Sequence, residues 1–287
     1  MGLLLSQIMS GLSLAAVYGL IAVTITFTYR VIGIVPIAQG AIMTCGIFAG
    51  YFVGSVVPSF VLVVLASTAV AGILGLLSYV LIFRRLVSAG HLSGLVAGLA
   101  LLVAIEEALR IAFFDGQSMS FPALDLTAQL NTTWTQALVI FLAVVVGGVA
   151  EWILRKTATG RRLRAVADNV EMARVLGVRA QRVRLLAFVA GTAVSGIAGI
   201  LFVTIYGSLS FNMGSTVEFV AIACVLLGGL GSVPGALLGS LVVGLGQALI
   251  STYISSAYVT AFVFGIVVLT IILRPSGLLG IRGRERT

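Results

Sequence analysis

The chain has 287 residues, of which 60% are hydrophobic and only 9% are charged, and its mean hydropathy is +1.20. An ordinary soluble domain carries about 25% charged residues, and the few charged side chains here cannot cover the surface of a soluble protein of this size. The composition therefore excludes a soluble enzyme, a disordered chain and a nucleic-acid module, and it predicts an all-α, polytopic bundle of transmembrane helices.

Apolar runs follow one another along a single predicted domain, residues 1–287. A span takes about 20 apolar residues, and the runs cover residues 7–29, 33–53, 59–83, 92–114, 134–154, 185–206, 217–227, 236–254 and 258–273. The second run contains Pro36 near its start, and the seventh is short and meets a glycine-rich break at residues 228–235. We therefore expect eight to nine hydrophobic segments, some of them broken or re-entrant.

The basic residues predict the orientation of these segments. Nine of the 17 Lys and Arg residues lie in residues 155–184, and the positive-inside rule places that segment in the cytoplasm. Alternate crossings then put Arg30, Arg84, Arg85 and the C-terminal arginines on the same side. The loops left outside, residues 54–58, 115–133, 207–216 and 255–257, contain no Lys or Arg. We therefore predict an external N-terminus and a cytoplasmic C-terminus. Because the basic residues lie at membrane boundaries, we expect no nucleic-acid partner.

The usual catalytic and metal-binding patterns are missing from the sequence. The only lysine, Lys156, follows Arg155, so the chain has no P-loop lysine. Cys45 and Cys224 lie inside apolar runs, which favours small buried hydrophobes over a disulfide. A single histidine, His91, cannot form a His/Cys metal cluster. We expect no catalytic residue, no cofactor and no metal site.

Ionisable side chains interrupt the fourth run at Glu106, Glu107 and Arg110. Each glutamate is three or four residues from the arginine, so either can pair with it on one helix face. Three roles stay open: a structural ion pair near the outer interface, a lining of a path through the membrane, and a proton relay. Glu151 and Glu218 fall at the ends of apolar runs, where we expect a charge to cost little.

Residues 155–184 contain the signals of a short amphipathic helix. Asp168 or Asn169 can cap its N-terminus, and Glu171 then lies in its first turn, where the helix dipole favours an anion. Gly177 is placed to end the helix in a left-handed turn. The apolar surface comes from Val170, Met172, Ala173, Val175 and Leu176. The segment is either a solvated loop held inside by its charge or a docking element for a cytoplasmic partner.

These residues resemble a known family. Glu171-Met172-Ala173, followed after three residues by Gly177, resembles the E-A-A-x-x-x-G motif of ABC importer permeases, with Met172 replacing one alanine. Residues 160–184 resemble the corresponding loop of the branched-chain (hydrophobic) amino acid permeases, in the smaller, LivH-like subunit. GIVPIAQG at residues 33–40 is similar to that family's G-I-x-N-[FL]-A-[HQ]-G, with Pro36 at the asparagine position. LGGLGSVPGA at residues 227–236 and RPSGLLG at residues 274–280 are similar to two further family segments.

The resemblance covers nearly the whole chain and implies a permease subunit of an ATP-driven importer in the bacterial cytoplasmic (inner) membrane. Its substrate would be a branched-chain or hydrophobic amino acid, or a related small polar solute such as urea or an amide. Its partners would be a second permease subunit (a larger, LivM-like relative), two cytoplasmic ATPase subunits and an extracytoplasmic substrate-binding protein. The alternatives are an ion-coupled secondary transporter and a passive solute channel.

The same resemblance implies two sets of functional residues. The helix that couples to the ATPase would use Asp168, Asn169, Glu171, Met172, Ala173, Leu176 and Gly177. The translocation path would be lined by Pro36, Gln39, Gly40, Glu106, Glu107, Arg110, Gly228, Gly229, Gly231 and Pro234.

Overall fold

The computed structural model describes residues 2–86, 91–113, 117–122, 124–125, 132–274 and 277–279 of the chain. The predicted cytoplasmic arginines Arg282, Arg284 and Arg286, together with Pro275, Ser276 and Gly280 of the RPSGLLG segment, lie outside these residues. The described part is overwhelmingly helical, so the predicted all-α bundle is confirmed.

The first half of the chain forms α1 (Gly2–Ile32), α2 (Gln39–Val56), α3 (Phe60–Ser78), a π-helical turn (Tyr79–Phe83), α4 (Arg84–Leu86), α5 (His91–Ala112) and α6 (Thr132–Lys156). The second half forms α7 (Ala158–Asp168), α8 (Val170–Val175), α9 (Ala180–Tyr206), α10 (Met213–Gly228), α11 (Val233–Tyr253), a 3-10 turn (Ser256–Tyr258) and α12 (Val259–Leu273). Two short strands, β1 (Met119–Ser120) and β2 (Ser208–Leu209), complete the described elements.

Eight helical stretches of the described chain are long and apolar enough to cross a membrane, and α10 is a shorter apolar helix beside them. They match the nine predicted runs, and the chain is a multi-pass membrane protein. The spans that contain α1, α2 and α9 are mostly buried, whereas α6 and α12 turn most of their surface outward. The bundle is therefore built around α1, α2 and α9, with α6 and α12 at its periphery.

Small residues let the central helices approach closely. The Ser67 Oγ atom of α3 donates a hydrogen bond to the Gly196 carbonyl oxygen of α9 at 2.9 Å. A Cβ atom at Gly196 would lie 2.8 Å from the Ser67 carbonyl oxygen, and one at Gly46 of α2 would lie 2.9 Å from it. Helices in lipid associate through such close packing, so α3 is held against both α2 and α9 by positions that exclude any larger side chain.

The second span is broken, as its early proline predicted. Residues 33–38 form no helix, Gly33 has a φ of 85°, and α2 begins only at Gln39. The Gln39 side chain contacts Gly191 and Ser195, which lie near the middle of the 27-residue helix α9. Because α9 crosses the whole bundle, α2 starts near the middle of the bundle along the direction of α9.

Residues 155–184 differ from the prediction of one short helix in a loop. The fifth span continues to Lys156, and a further helix, α7, follows after Thr157 alone. This sharp turn requires Gly160, because a Cβ atom there would overlap the Leu154 carbonyl oxygen. The Thr157 Oγ1 atom accepts a hydrogen bond from the Gly160 amide and caps α7. The segment is thus two helices, α7 and α8, divided at Asn169.

The two ends of the bundle differ in charge. Arg30, Arg84 and the helices α7 and α8 lie at one end, which we call the basic end. At the opposite end β1 pairs antiparallel with β2, with Met119 opposite Leu209. The predicted polar loop before α6 therefore contains, in its described part, a strand that ties it to the loop after α9.

Residues 277–279 return to the basic end of α10. The amides of Leu278 and Leu279 donate hydrogen bonds to the Leu227 and Gly228 carbonyl oxygens, both at 2.9 Å. The last carbonyl groups of a helix have no partner within it, so this segment supplies donors that α10 itself lacks.

Candidate functional site

The helix α8 at the basic end is defined by its two caps. The Asn169 Oδ1 atom accepts hydrogen bonds from the Glu171 and Met172 amides, each at 3.0 Å. Of the two predicted caps the structure thus selects Asn169. Asp168 instead ends α7, and its carboxylate lies 3.8 Å from the Arg30 guanidinium at the end of α1.

The C-terminal end of α8 is closed by Gly177 in the left-handed conformation that its position predicted. Its φ is +79°, and its amide donates to the Arg174 carbonyl oxygen at 2.9 Å. The Val178 amide donates to the Ala173 carbonyl oxygen, also at 2.9 Å. These two bonds form a Schellman motif, which favours glycine because a Cβ atom is strained at positive φ.

One side of α8 is buried against the rest of the protein, and the other side is exposed. Ala173 is only 2% exposed and belongs to the apolar cluster that contains Leu163 and Val166 of α7 and Val183 of α9. The side chains on the other side are exposed, Met172 by 58%, Val175 by 81% and Leu176 by 74%. We call these three residues the docking surface, after the prediction that this helix contacts a cytoplasmic partner; exposed apolar groups of this kind are typical of protein contacts.

A second polar cluster lies inside the bundle where α2 begins. The buried Gln39 side chain donates from Nε2 to the Thr24 Oγ1 atom at 2.7 Å, to the Gly191 carbonyl oxygen at 3.2 Å and to the Ser195 Oγ atom. It therefore joins α2 to α1 and α9. We call Gln39, Gly40, Thr44, Ser195 and Glu218 the midplane cluster.

Glu218 brings α10 into this cluster. Its Oε2 atom accepts a hydrogen bond from the Gly40 amide at 2.6 Å, and the side chain is 1% exposed. The Gly214 amide donates to the Thr44 Oγ1 atom at 3.0 Å, and a Cβ atom at Gly40 would lie 2.5 Å from the Gly214 carbonyl oxygen. The N-termini of α2 and α10 thus meet inside the bundle.

This position corrects the expectation that Glu218 sits where a charge costs little. The helix begins at Met213, before the predicted run, because Gly214, Ser215 and Thr216 are helical and not part of the loop. Glu218 therefore falls in the second turn and inside the protein. The cost of burying its carboxylate is offset locally, because the N-terminus of α2 stabilises a negative charge.

The charged residues of α5 divide between two surroundings. The Arg110 Nε atom donates to the Glu107 Oε2 atom at 2.8 Å, and these side chains are 40% and 51% exposed. Glu106 instead lies beside Ser215 of α10 and is close enough to Glu218 for their charges to interact. The Oε1 atoms of Glu106 and Glu218 are buried and have no hydrogen-bond partner among the described residues.

The glycine-rich break lies apart from the midplane cluster. Gly228 ends α10, ten residues or about 15 Å along the helix from Glu218. Gly228, Gly229 and Gly231 are buried in a tight turn, whereas Pro234 is exposed in the first turn of α11. The structure therefore brings Gln39, Gly40 and Glu106 near Glu218 and leaves the break at the basic end. That the glycine-rich break lines the translocation path stays a prediction, and so does the same role for the buried Pro36.

Residues 7–272 match a sequence family described as the branched-chain amino acid transport system permease component. The chain is 29% identical to the high-affinity branched-chain amino acid transport system permease protein LivH of Escherichia coli K12 and 25% identical to the corresponding protein BraD of Pseudomonas aeruginosa. Each alignment covers 96% of this chain and 95% of the relative. The autoinducer 2 import system permease protein LsrC of Salmonella paratyphi B is 41% identical over 35% of this chain and 31% of its own length. No solved structure matches the chain.

Proposed function

The chain belongs to the family of branched-chain amino acid transport permeases, and from this premise we propose that it is the membrane-spanning subunit of an ATP-driven importer. Its substrate would be a branched-chain or other hydrophobic amino acid, in keeping with LivH and BraD, which are permeases of branched-chain amino acid transport systems. A related small polar solute such as urea or an amide is the alternative within the family. The observation that carries the proposal is the docking surface, an exposed apolar face on a short capped helix at the basic end.

In this proposal the docking surface contacts one of two ATPase subunits. The surface is exposed, whereas Ala173 on the opposite side of α8 is buried against α7 and α9. A movement of α8 would therefore reach α7 and α9 through the packing around Ala173. The positive-inside rule supports a cytoplasmic basic end, with the N-terminus outside.

The translocation path in this proposal runs beside α5 and the midplane cluster. Glu107 and Arg110 are half-exposed within the span formed by residues 92–112, where charged side chains facing lipid are costly. That face of α5 is therefore better suited to a water-filled path or to a second permease subunit, such as a LivM-like relative. An external binding protein would deliver the substrate to the opposite end, beside β1 and β2.

One observation favours a second candidate, an ion-coupled transporter. Glu106 and Glu218 each bury a carboxylate oxygen that lacks a hydrogen-bond partner among the described residues. Intramembrane carboxylates of this kind occur in proton and ion relays. This candidate predicts uptake that is driven by an ion gradient and needs no ATPase subunit.

The test is substrate uptake into proteoliposomes that contain the chain, its partner subunits and enclosed ATP. We expect Val175→Asp and Leu176→Asp to reduce uptake at least tenfold, because a desolvated unpaired charge in an interface costs about 1.4 kcal/mol or more. Both positions are exposed, so the fold should tolerate them. Arg161→Gln, at an exposed position of α7, is the matched control.

Normal uptake by both docking-surface variants would contradict the contact. Uptake that follows a proton or sodium gradient without any ATPase subunit would favour the second candidate.

A further inference from the structure

A groove of about 700 Å³ lies beside α8 and is not used by the proposed function. It is bounded by the first turn of α9 and by the end of the third span. Four arginines line it, and we call it the arginine groove: Arg84, Arg174, Arg179 and Arg182. Its volume falls within the range of small-ligand sites, about 300–1,000 Å³. Among the described residues that line it, none is acidic.

The charge of the arginine groove is not neutralised within the described part of the chain. The ion pairs there involve Arg30, Arg110 and Arg155, and none involves an arginine of the groove. Beneath the groove, the Nε atom of Arg184 is buried without an acceptor among the described residues. Arg184 lies close enough to Tyr79, which lines the groove, for the two to interact electrostatically. Clustered like charges repel, so this surface favours an anion.

The wall of the groove formed by the spans is apolar. Val80 and Leu185 line the groove together with the arginines. On the third span, Val80 continues a strip of exposed side chains at helical spacing that includes Ile73 and Leu77. This strip belongs to the membrane-spanning part of the chain. The groove therefore joins a cationic head region to an apolar surface at lipid depth.

We propose that the arginine groove binds the phosphate headgroup of an anionic phospholipid, whose acyl chains lie along the apolar strip. Guanidinium groups bind phosphate through paired hydrogen bonds, and basic pockets between transmembrane helices are suited to anionic headgroups. Free phosphate would contact the arginines but not the apolar strip, whereas a phospholipid would contact both. Because Arg174 of α8 and Gly177, which follows it, line the same groove, a bound lipid would tether α8 to the third span.

The proposal can be tested by native mass spectrometry of the full-length chain in detergent, titrated with short-chain phosphatidylglycerol. We expect saturable binding, and about fivefold weaker affinity for each arginine removed, in Arg84→Gln and in Arg182→Gln. Arg84→Lys keeps the charge but loses the paired hydrogen bonds, so its affinity should lie between those of the wild type and Arg84→Gln. Arg161→Gln, an exposed arginine outside the groove, should bind as the wild type does.

Three further measurements distinguish a bound lipid from a free anion or a protein partner in the groove. Short-chain phosphatidylcholine should bind much more weakly, and equal binding would overturn the proposal. Inorganic phosphate should not displace the lipid at matched concentration, and displacement would reassign the groove to a free anion. The assembled complex with its partner subunits should retain the lipid. A complex that carries none, while the isolated chain does, would assign the groove to a protein partner and reject the lipid.

Discussion

At the scale of single residues, Glu218 illustrates how one buried carboxylate holds two short helices together. It belongs to α10, but its Oε2 atom accepts a hydrogen bond from Gly40 in the first turn of α2. The first amides of a helix have no partner within it, and the dipole makes that end attractive to an anion. The carboxylate therefore supplies to α2 a cap that its own sequence lacks.

Removing this carboxylate should destabilise the protein. In Glu218→Ala the buried Gly40 amide loses its acceptor, and an unsatisfied buried donor costs about 1–3 kcal/mol. Glu218→Gln keeps an oxygen acceptor and should lose less. The measurement is the thermal unfolding midpoint of the purified protein in detergent. Ser251→Ala, at an exposed position of α11, is the control. An alanine variant that melts with the wild type would mean that the cap contributes nothing.

Gly177 is required for its backbone conformation and not for space. A Cβ atom there would meet nothing within 4 Å, yet its φ of +79° is strained for any residue with a side chain. Gly177→Ala should therefore destabilise the end of α8 by about 1–2 kcal/mol. Gly177→Asn should be milder, since asparagine tolerates this region. Hydrogen exchange of the α8 amides measures the difference, and equal exchange in the two variants would refute this explanation.

At the scale of elements, the parts of the fold that depend on local chemistry could be predicted from the sequence. The apolar runs located the spans, and Asn169 and Gly177 marked the ends of α8 because capping involves only neighbouring residues. The depth at which α2 begins could not be predicted, since it depends on the contact of Gln39 with Ser195, 156 positions along the chain. The burial of Glu218 depends in the same way on Gly40.

The turn between α6 and α7 offers a prediction with an internal control. At Gly160 a Cβ atom would overlap the Leu154 carbonyl oxygen, so Gly160→Ala should force α7 away from the end of α6. We expect a loss of stability of about 1–3 kcal/mol, as for other overpacked positions. At Gly148, in α6, a Cβ atom meets nothing within 4 Å, so Gly148→Ala should be neutral or slightly stabilising. Comparing the thermal unfolding of the two variants tests the turn; a similar melting temperature for both would contradict it.

At the scale of the whole molecule, charge and strand pairing separate the two ends of the bundle. The described arginines of α4, α7, α8 and the end of α1 share one end, and the β1–β2 pair occupies the other. From this asymmetry the positive-inside rule predicts an orientation with α7 and α8 in the cytoplasm.

Cysteine accessibility can test this orientation. Ser118→Cys beside β1 and Thr159→Cys in α7 both lie at exposed positions, and they would be introduced after Cys45→Ala and Cys224→Ala remove the native thiols. We expect a membrane-impermeant maleimide to label the first in intact cells and the second only after permeabilisation. The reverse pattern would invert the topology and with it the cytoplasmic docking surface.

The contact between residues 277–279 and α10 also constrains how the protein is made. With 16 residues, α10 is about 24 Å long, shorter than a hydrocarbon core of about 30 Å. Among the described residues, Leu278 and Leu279 donate to the Leu227 and Gly228 carbonyl groups, and both leave the ribosome after α11 and α12. We therefore expect the C-terminal end of α10 to become fixed only after the two spans that follow it have been made.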